Sequence, residues 1–247
     1  MSLTLIQQQV TEINIAGGEP TLWPHLIELA QYIHKKGLKV NLIHNGSASP
    51  DVYRKIAPYL TTCGFSIDTV NPDIQRRIGR CFCDGQVITA KEYAEKISIL
   101  RSVNPDIRIK VNTVVNSANL NDNLAPQIRA WGVDRWKFLC CMPFSDGVHD
   151  NAHMVISDAE YTAYIQRLLA QFNADYVPEQ YRYKIGETMI VAERTLAGSY
   201  IMVDSNGCLV DDTKNSSYTK VADLRYEDFR KGLKKLTLYE DLYRSRY

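Results

Sequence analysis

The regular alternation of strand-like and helix-like segments is the feature that most constrains the fold of this chain. Five short segments rich in β-branched or apolar residues are each followed by residues at helical spacing. These strand candidates are Glu12–Ile15, Leu38–Ile43, Gly64–Ile67, Ile107–Val115 and Arg135–Cys141. Such alternation predicts a parallel sheet covered by helices. It favours an α/β barrel, complete or partial, over a doubly wound sheet, although alternation alone does not decide between them.

The alternation ends near Phe172, after a helix that a capping-box pattern at Ser157–Glu160 begins. Further along, Ser199–Asp204 and Cys208–Asp211 flank an Asn-Gly turn, which predicts a β-hairpin. We therefore predict a partial barrel over residues 1–175. The remaining residues, 176–247, are predicted to form an extension that packs on the barrel within the same domain.

The charge balance restricts the class of partner. The 247 residues include 29 Lys and Arg against 28 Asp and Glu, a net charge of +1. Proteins that bind nucleic-acid polymers usually carry a basic excess, so such a partner is disfavoured, whereas a single nucleotide is not. The six cysteines lack the pattern of a secreted disulfide framework, which favours a reducing cytoplasm. A membrane-anchoring N-terminal helix stays open as an alternative, and so does the oligomeric state.

Candidate functional residues follow the predicted strands, where a parallel α/β barrel forms its active site. Gly17, Gly18 and Glu19 follow the first strand. Paired glycines let a ligand approach the backbone closely, and Glu19 is placed to accept hydrogen bonds from a ligand amino group. The alternative is a tight turn with an exposed glutamate, and the spacing alone favours that alternative.

Three further polar residues come later at similar places, namely Asn45, Ser66 and Arg80. Each has a local alternative, because Asn-Gly turns and helix caps use the same residue types.

Two neighbouring predicted strands carry alternating cations. Lys110 and Asn112 share one face of their strand, and Arg135 and Lys137 alternate in the same way on the next strand. A buried lysine needs an anion, so this pattern predicts a pocket for a polyanion such as a triphosphate. The alternative is a row of cations at the rim that pair with Asp or Glu. We predict no metal site from the cysteines, because no CxxC occurs and adjacent strand residues point to opposite faces.

Together and in order, these segments resemble the viperin-like group of the radical S-adenosylmethionine (SAM) superfamily. The matching stretches span nearly the whole chain: Ile13–Leu22 (INIAGGEPTL), Asn45–Ser47, Phe65–Thr69, Ile78–Arg80, Lys110–Asn116 (KVNTVVN), Asp134–Lys137 (DRWK) with Cys141, and Ser199–Asp204 (SYIMVD). The GGEP element is typical of radical SAM enzymes in general. The KVNTVVN, RWK and SYIMVD elements point to the narrower group.

The resemblance implies a partial (β/α)6 barrel that holds a 4Fe-4S cluster and SAM. In this group an external electron donor reduces SAM, and the resulting 5′-deoxyadenosyl radical takes hydrogen from the 4′ carbon of a nucleoside triphosphate. Loss of water then gives a 3′-deoxy-3′,4′-didehydro nucleotide, which can terminate viral RNA chains. The implied enzyme is therefore a lyase of antiviral defence acting on CTP, GTP or UTP, with the base left open.

The resemblance also implies residue roles. It assigns SAM binding to Gly17, Gly18, Glu19, Asn45, Ser66 and Arg80. It assigns nucleotide binding to Lys110, Asn112, Arg135 and Lys137. It makes Tyr200 the candidate hydrogen or proton donor late in the reaction.

One departure concerns the cluster. The family carries CxxxCxxC in a loop after the first barrel strand, ahead of the GGEP turn, but only 16 residues precede Gly17 here and none is Cys. We therefore expect Met1 to lie inside a longer coding sequence, and the 247-residue chain itself to bind no cluster and to leave SAM uncleaved. Two alternatives stay open: another radical SAM enzyme acting on a phosphorylated small molecule, and a non-catalytic nucleotide-binding fragment or remnant.

Overall fold

The computed structural model describes residues 10–144, 150–177, 180–193, 198, 200–213 and 218–239. The chain divides into two compact units. The larger is Glu12–Arg194, and the smaller combines Met1–Thr11 with Thr195–Tyr247. Ser199, the first residue of the predicted hairpin, lies outside the described residues.

A seven-stranded sheet forms the larger unit. Its strands are β1 (Glu12–Ile15), β2 (Lys39–His44), β3 (Thr62–Ser66), β4 (Arg108–Val115), β5 (Arg135–Cys140), β6 (Arg182–Ile185) and β7 (Thr188–Glu193). They pair in the order β1-β2-β3-β4-β5-β7-β6, and only the β6–β7 pair is antiparallel. Over the described residues the pairing starts at β1 and stops at β6, so the sheet is open rather than closed into a barrel.

The predicted parallel α/β architecture is confirmed, but six strands run parallel where the sequence indicated five. The missed hairpin of β6 and β7 places residues 182–193 in the large sheet, beyond the boundary predicted at 175. Its signal was weak because the edge strand has only four residues, and so short an alternation is not distinctive. Its two-residue turn has Gly186 at a φ of 57°, the position that glycine takes in a type II′ hairpin.

In the part of the chain that the structure describes, six α-helices lie between the strands: α1 (Leu26–Lys35), α2 (Pro50–Ile56), α3 (Pro72–Arg77), α4 (Ala90–Val103), α5 (Ala125–Ala130) and α6 (Asp158–Ala170). Both α4 and α6 begin with complete capping boxes, formed by Thr89 with Glu92 and by Ser157 with Glu160. Each box satisfies backbone donors that would otherwise lack partners at the first helical turn. The predicted start of α6 is therefore confirmed.

The two faces of the sheet differ in character. On β4, Ile109, Val111 and Val115 are fully buried in the core beneath the helices, whereas the alternate residues Lys110 and Asn112 are only partly buried. We call the second face, which carries Lys110, the inner face. Alternation along the strand thus separates a hydrocarbon core from a polar surface.

The smaller unit contains a three-stranded antiparallel sheet of β8 (Met202–Val203), β9 (Cys208–Asp211) and β10 (Thr219–Asp223), followed by the short helix α7 (Phe229–Leu233). The predicted hairpin between β8 and β9 is confirmed in the described residues, with Val203 opposite Leu209. Leu209 and Phe229 form the centre of its own small core.

None of the described helices is both long and apolar enough to cross a lipid bilayer.

Candidate functional site

The loop after β1 presents its backbone to open space. Gly17 and Gly18 have φ values of 97° and 49°, in the region that side-chain-bearing residues rarely adopt. Both are exposed, and a Cβ atom added at either would meet nothing within 4 Å. The glycines therefore combine a backbone conformation that other residues rarely adopt with room for a ligand against it.

The Glu19 carboxylate ties this loop to the next one. One of its oxygens accepts hydrogen bonds from Thr21 N at 3.0 Å and Thr21 Oγ1 at 2.5 Å. The other accepts from Asn45 N, at the end of β2, at 2.8 Å. The carboxylate thus holds the two loops together, and it retains lone pairs for a ligand amino group.

The loop after β2 is held from the helix layer. Gly46 has a φ of 89°, and a Cβ there would lie 2.6 Å from the ring of Tyr93. Lys96 is 9% exposed and its Nζ donates to Gly46 O at 2.8 Å. Burial lowers the pKa of Lys96. These α4 residues support Asn45 from behind. No local pattern indicated them, because a lysine on a helix is normally solvated.

A neutral histidine lies beneath the same loop. His44 Nδ1 accepts from Gly46 N at 3.0 Å, and its Nε2 lies 3.3 Å from Cys63 Sγ. Burial, with a smaller effect of the Lys96 charge, lowers the pKa of His44 from 6.5 to about 3. Burial likewise raises the pKa of the Cys63 thiol. Because Nδ1 accepts, the proton of the neutral ring is on Nε2, which donates to sulfur.

Arg80 is held at the site by a buried carboxylate after β3. Asp68 accepts from Arg80 Nε at 2.8 Å and from Val114 N at 2.7 Å. Burial lowers the pKa of Arg80, but the Asp68 carboxylate raises it by more together with smaller effects that include Glu19, so the net shift is upward. The predicted residues Glu19, Asn45 and Arg80 therefore lie together at the carboxyl ends of the first three strands. Asp68 is the partner that holds Arg80 there.

The register of the sheet brings the predicted nucleotide-binding residues together. Asn112 lies opposite Ser66 on β3 and opposite Lys137 on β5, while Lys110 lies opposite Arg135. Partners in such a ladder share a face and stand about 4.8 Å apart across neighbouring strands. The prediction that Lys110 and Lys137 face the same side is confirmed. The side chain of Asn112 has a buried Oδ1 with no hydrogen-bond partner among the described residues.

Lys137 already has an acidic partner within the protein. It is 2% exposed, and its Nζ lies 2.5 Å from Glu193 Oε2 on β7. The sequence showed no acidic counterpart near the cations, because Glu193 is distant in the chain and lies on a strand that was missed. Because Glu193 balances the charge of Lys137, repulsion between Lys110 and Lys137 is reduced.

Tyr200 lies in the smaller unit, just before β8. Its proposed role in the reaction stays a prediction.

Comparison with known proteins identifies the family. Residues 3–115 match the model of the radical SAM superfamily. The S-adenosylmethionine-dependent nucleotide dehydratase of Selenomonas ruminantium is 32% identical over 245 residues, which cover 96% of this chain and 82% of that protein. The chain belongs to this family of nucleotide dehydratases. The dehydratases of Fibrobacter sp. and Psychrobacter lutiphocae are 35% and 30% identical, and the matches cover only 42% and 60% of their lengths.

Solved structures agree on the fold. The AdoMet-bound anSMEcpe structure has a TM-score of 0.66 at 13% identity and is matched over 99% of this chain and 71% of its own. SuiB of Streptococcus suis has a TM-score of 0.63 at 14% identity, covering 98% of this chain and 60% of its own. The larger unit is therefore a radical SAM fold.

The residues of this dehydratase-family chain fit SAM but not an iron–sulfur cluster. The open backbone at Gly17 and Gly18, beside the carboxylate of Glu19, suits an amino-acid moiety. By contrast, no group of three or more His, Cys, Asp or Glu in the described residues could hold a metal ion. Cys81 and Cys83 are exposed and two residues apart, so they do not supply the three thiolates of a cluster site.

The buried neutral His44 predicts a specific pH dependence of stability. The unfolded chain takes up a proton near pH 6.5, whereas the folded chain stays neutral down to about pH 3, so stability falls as the pH falls through this window. The slope is about 1.4 kcal/mol per pH unit. Urea unfolding should therefore show the parent losing roughly 2 kcal/mol more than His44→Gln between pH 7 and pH 5. Equal losses in the two proteins would contradict it.

The buried pair of Lys137 and Glu193 predicts a strong coupling. Lys137→Met or Glu193→Leu alone removes one partner of the buried pair and should cost about 3–5 kcal/mol of unfolding free energy. The double variant removes both charges and should recover most of that loss, as a urea-denaturation cycle would measure. Additive losses in the double variant would show that the two charges act independently.

Proposed function

We propose that this chain binds a nucleoside triphosphate on the inner face of the sheet, with CTP, GTP and UTP as the candidate substrates, and that together with the CxxxCxxC segment of its family it dehydrates the ribose to the 3′-deoxy-3′,4′-didehydro form. The supporting observation is the cluster of Lys110, Asn112, Arg135 and Lys137, which the register sets side by side on two strands. It lies next to the strand ends that carry the SAM-binding candidates.

The charges of this cluster favour a phosphorylated substrate. Lys110, Arg135 and Lys137 bring three cations to neighbouring positions of one face, and Glu193 balances one of them. Cations held this close on a partly buried surface favour a polyanion, because each charge-assisted hydrogen bond gains from reduced solvation. The buried Oδ1 of Asn112 offers an acceptor for a ribose hydroxyl between these cations.

The SAM-binding part of the proposal rests on the residues at the carboxyl ends of β1, β2 and β3 and in the loops that follow them. Gly17, Gly18 and Glu19 would hold the methionine end of SAM, whose amino group needs acceptors. Asn45, Ser66 and Arg80 would line the remainder, with Arg80 oriented by its ion pair to Asp68. When bound and reduced by an external electron donor, SAM supplies the radical chemistry, while the protein orients the ribose and excludes water.

We further propose that Tyr200 gives a hydrogen atom or proton late in the reaction, that the product serves antiviral defence, and that the enzyme works in the cytoplasm. These proposals come from the family membership and from the Tyr200-containing segment that the family shares.

Lys110 provides the direct test of substrate class. Lys110→Ala removes one charge-assisted contact of about 1.5–3 kcal/mol, so triphosphate affinity should fall by roughly tenfold to a hundredfold. Affinity for the bare nucleoside should change little, because it lacks the phosphates. Isothermal titration calorimetry with CTP, GTP, UTP and their nucleosides measures both.

Arg108→Ala is the matched control. It removes one cation from the same face of β4, but Arg108 is exposed at the amino end of the strand. Triphosphate affinity should stay within about twofold of the parent, which is well under 1 kcal/mol. If Lys110→Ala binds triphosphate as tightly as this control, the cations do not form a phosphate site and the proposed substrate class is wrong.

Tyr200→Phe should separate chemistry from binding. Only a hydroxyl is lost, so triphosphate affinity should stay at the parent value, while product yield per SAM consumed should fall at least tenfold in an active preparation that carries the family's CxxxCxxC segment. Unchanged yield would remove Tyr200 from the proposed reaction.

A further inference from the structure

The edge strand β6 extends the polar row of the inner face. Arg182 lies opposite Val191 on β7, and Val191 lies opposite Lys137 on β5. Since paired residues share a face, one row runs across the sheet through Ser66, Asn112, Lys137, Val191 and Arg182. The sequence did not indicate Arg182, because β6 itself was missed.

The guanidinium of Arg182 is incompletely satisfied. Its Nε and Nη2 are buried and have no hydrogen-bond partner among the described residues. Buried donors without acceptors are costly, and these two lie along the same edge of the planar guanidinium. That edge is the one that binds two oxygens of a single phosphate or carboxylate in parallel.

Arg182 is not needed to anchor its strand. The neighbouring Tyr183 does so from the opposite face, where it is buried in the main core and its hydroxyl lies 2.7 Å from Gln180 O and 3.2 Å from Val177 O. Lys184, on the same face as Arg182, is exposed and its Nζ donates to Glu187 O at 2.9 Å. Of these three side chains, Arg182 is therefore the one whose arrangement is incomplete without a ligand.

The ion pair of Lys137 explains why another cation is needed in this row. With Glu193 balancing Lys137, the β5 end of the row offers a triphosphate less positive charge than its residue types suggest. Arg182 lies two strand spacings from Lys137, about 10 Å between backbones, which two long side chains bridge readily around a polyphosphate.

We propose that Arg182 binds a phosphate group of the nucleotide through Nε and Nη2, as a substrate-binding residue in line with Asn112 and Lys137. The proposal deepens the function inferred above and rests on it. The chemistry required of the ligand is two oxygens of one tetrahedral anion, and the polyphosphate of the nucleotide supplies them.

The test compares Arg182→Met with Lys184→Met in the full chain. The two variants remove one cation each from the same face of the same strand and retain an unbranched apolar stem. Calorimetric titration with CTP, GTP, UTP and the bare nucleosides should show Arg182→Met weakening triphosphate binding by ten- to a hundredfold. Nucleoside affinity should stay unchanged. Lys184→Met should stay within about twofold of the parent for both ligands.

Two further readouts distinguish binding from a structural role. Without nucleotide, Arg182→Met should unfold at the same temperature as the parent or above it, because no hydrogen bond of Nε or Nη2 is lost. Arg182→Lys keeps a charge but not the paired donors, so its triphosphate affinity should fall between those of the parent and Arg182→Met.

Each contrary outcome has a separate meaning. If Arg182→Met binds triphosphates like the parent while Lys110→Ala does not, the role of Arg182 is wrong and the proposed function stands. If Arg182→Met unfolds at a lower temperature and weakens triphosphate and nucleoside equally, Arg182 is structural and the proposal is overturned. If the parent binds no nucleoside triphosphate, both the proposed function and this assignment fall.

Discussion

Parallel pairing of neighbouring strands is the constraint on which the rest of this structure depends. The ladders from β3 through β5 to β7 set Ser66, Asn112 and Lys137 in one row and Lys110 beside Arg135 in another. Side chains alternate along a strand with a period of two, so a slip of one residue would move Lys110 into the hydrocarbon core and a core valine onto the inner face. The burial of the alternate residues on β4 therefore fixes the polar site through the stability of the core on the other side of the sheet.

That register places Lys110, Arg135 and Lys137 close together on one face of the sheet. Lys137 is almost fully buried and is paired with Glu193, whose strand joins the sheet at the far side of β5. Breaking a buried pair is costly, while forming it gains little over an apolar contact, so such a pair specifies a geometry more than it stabilises a fold. Here the pair fixes the ammonium beside Asn112.

The sequence predicts this protein well where local chemistry decides the structure. The bounds of β1, the capping box of α6 and the alternation of Lys110 with apolar neighbours all follow from residues close in the chain. It fails where distant segments meet. Glu193 and Arg182 lie on a hairpin whose edge strand has only four residues, two of them cations. The support of the Gly46 loop by Lys96 spans 50 residues. No local pattern encodes such contacts.

In the loops that follow β1 and β2, side chains hold the structure together and the backbone of Gly17 and Gly18 is left exposed. Glu19 accepts three hydrogen bonds from the chain, and His44 is kept neutral so that its Nδ1 can accept from Gly46 N. Protonation of His44 would remove that acceptor and would add a second positive charge near the ammonium of Lys96. Burial and the Lys96 charge both lower the pKa of His44, so the ring stays neutral. With these groups engaged in holding the two loops, the exposed peptide units at Gly17 and Gly18 remain open, and they are the surface that we propose for an amino-acid moiety. In a family whose cofactor carries the reactive chemistry, the protein needs loops that are held in place in this way more than it needs reactive side chains.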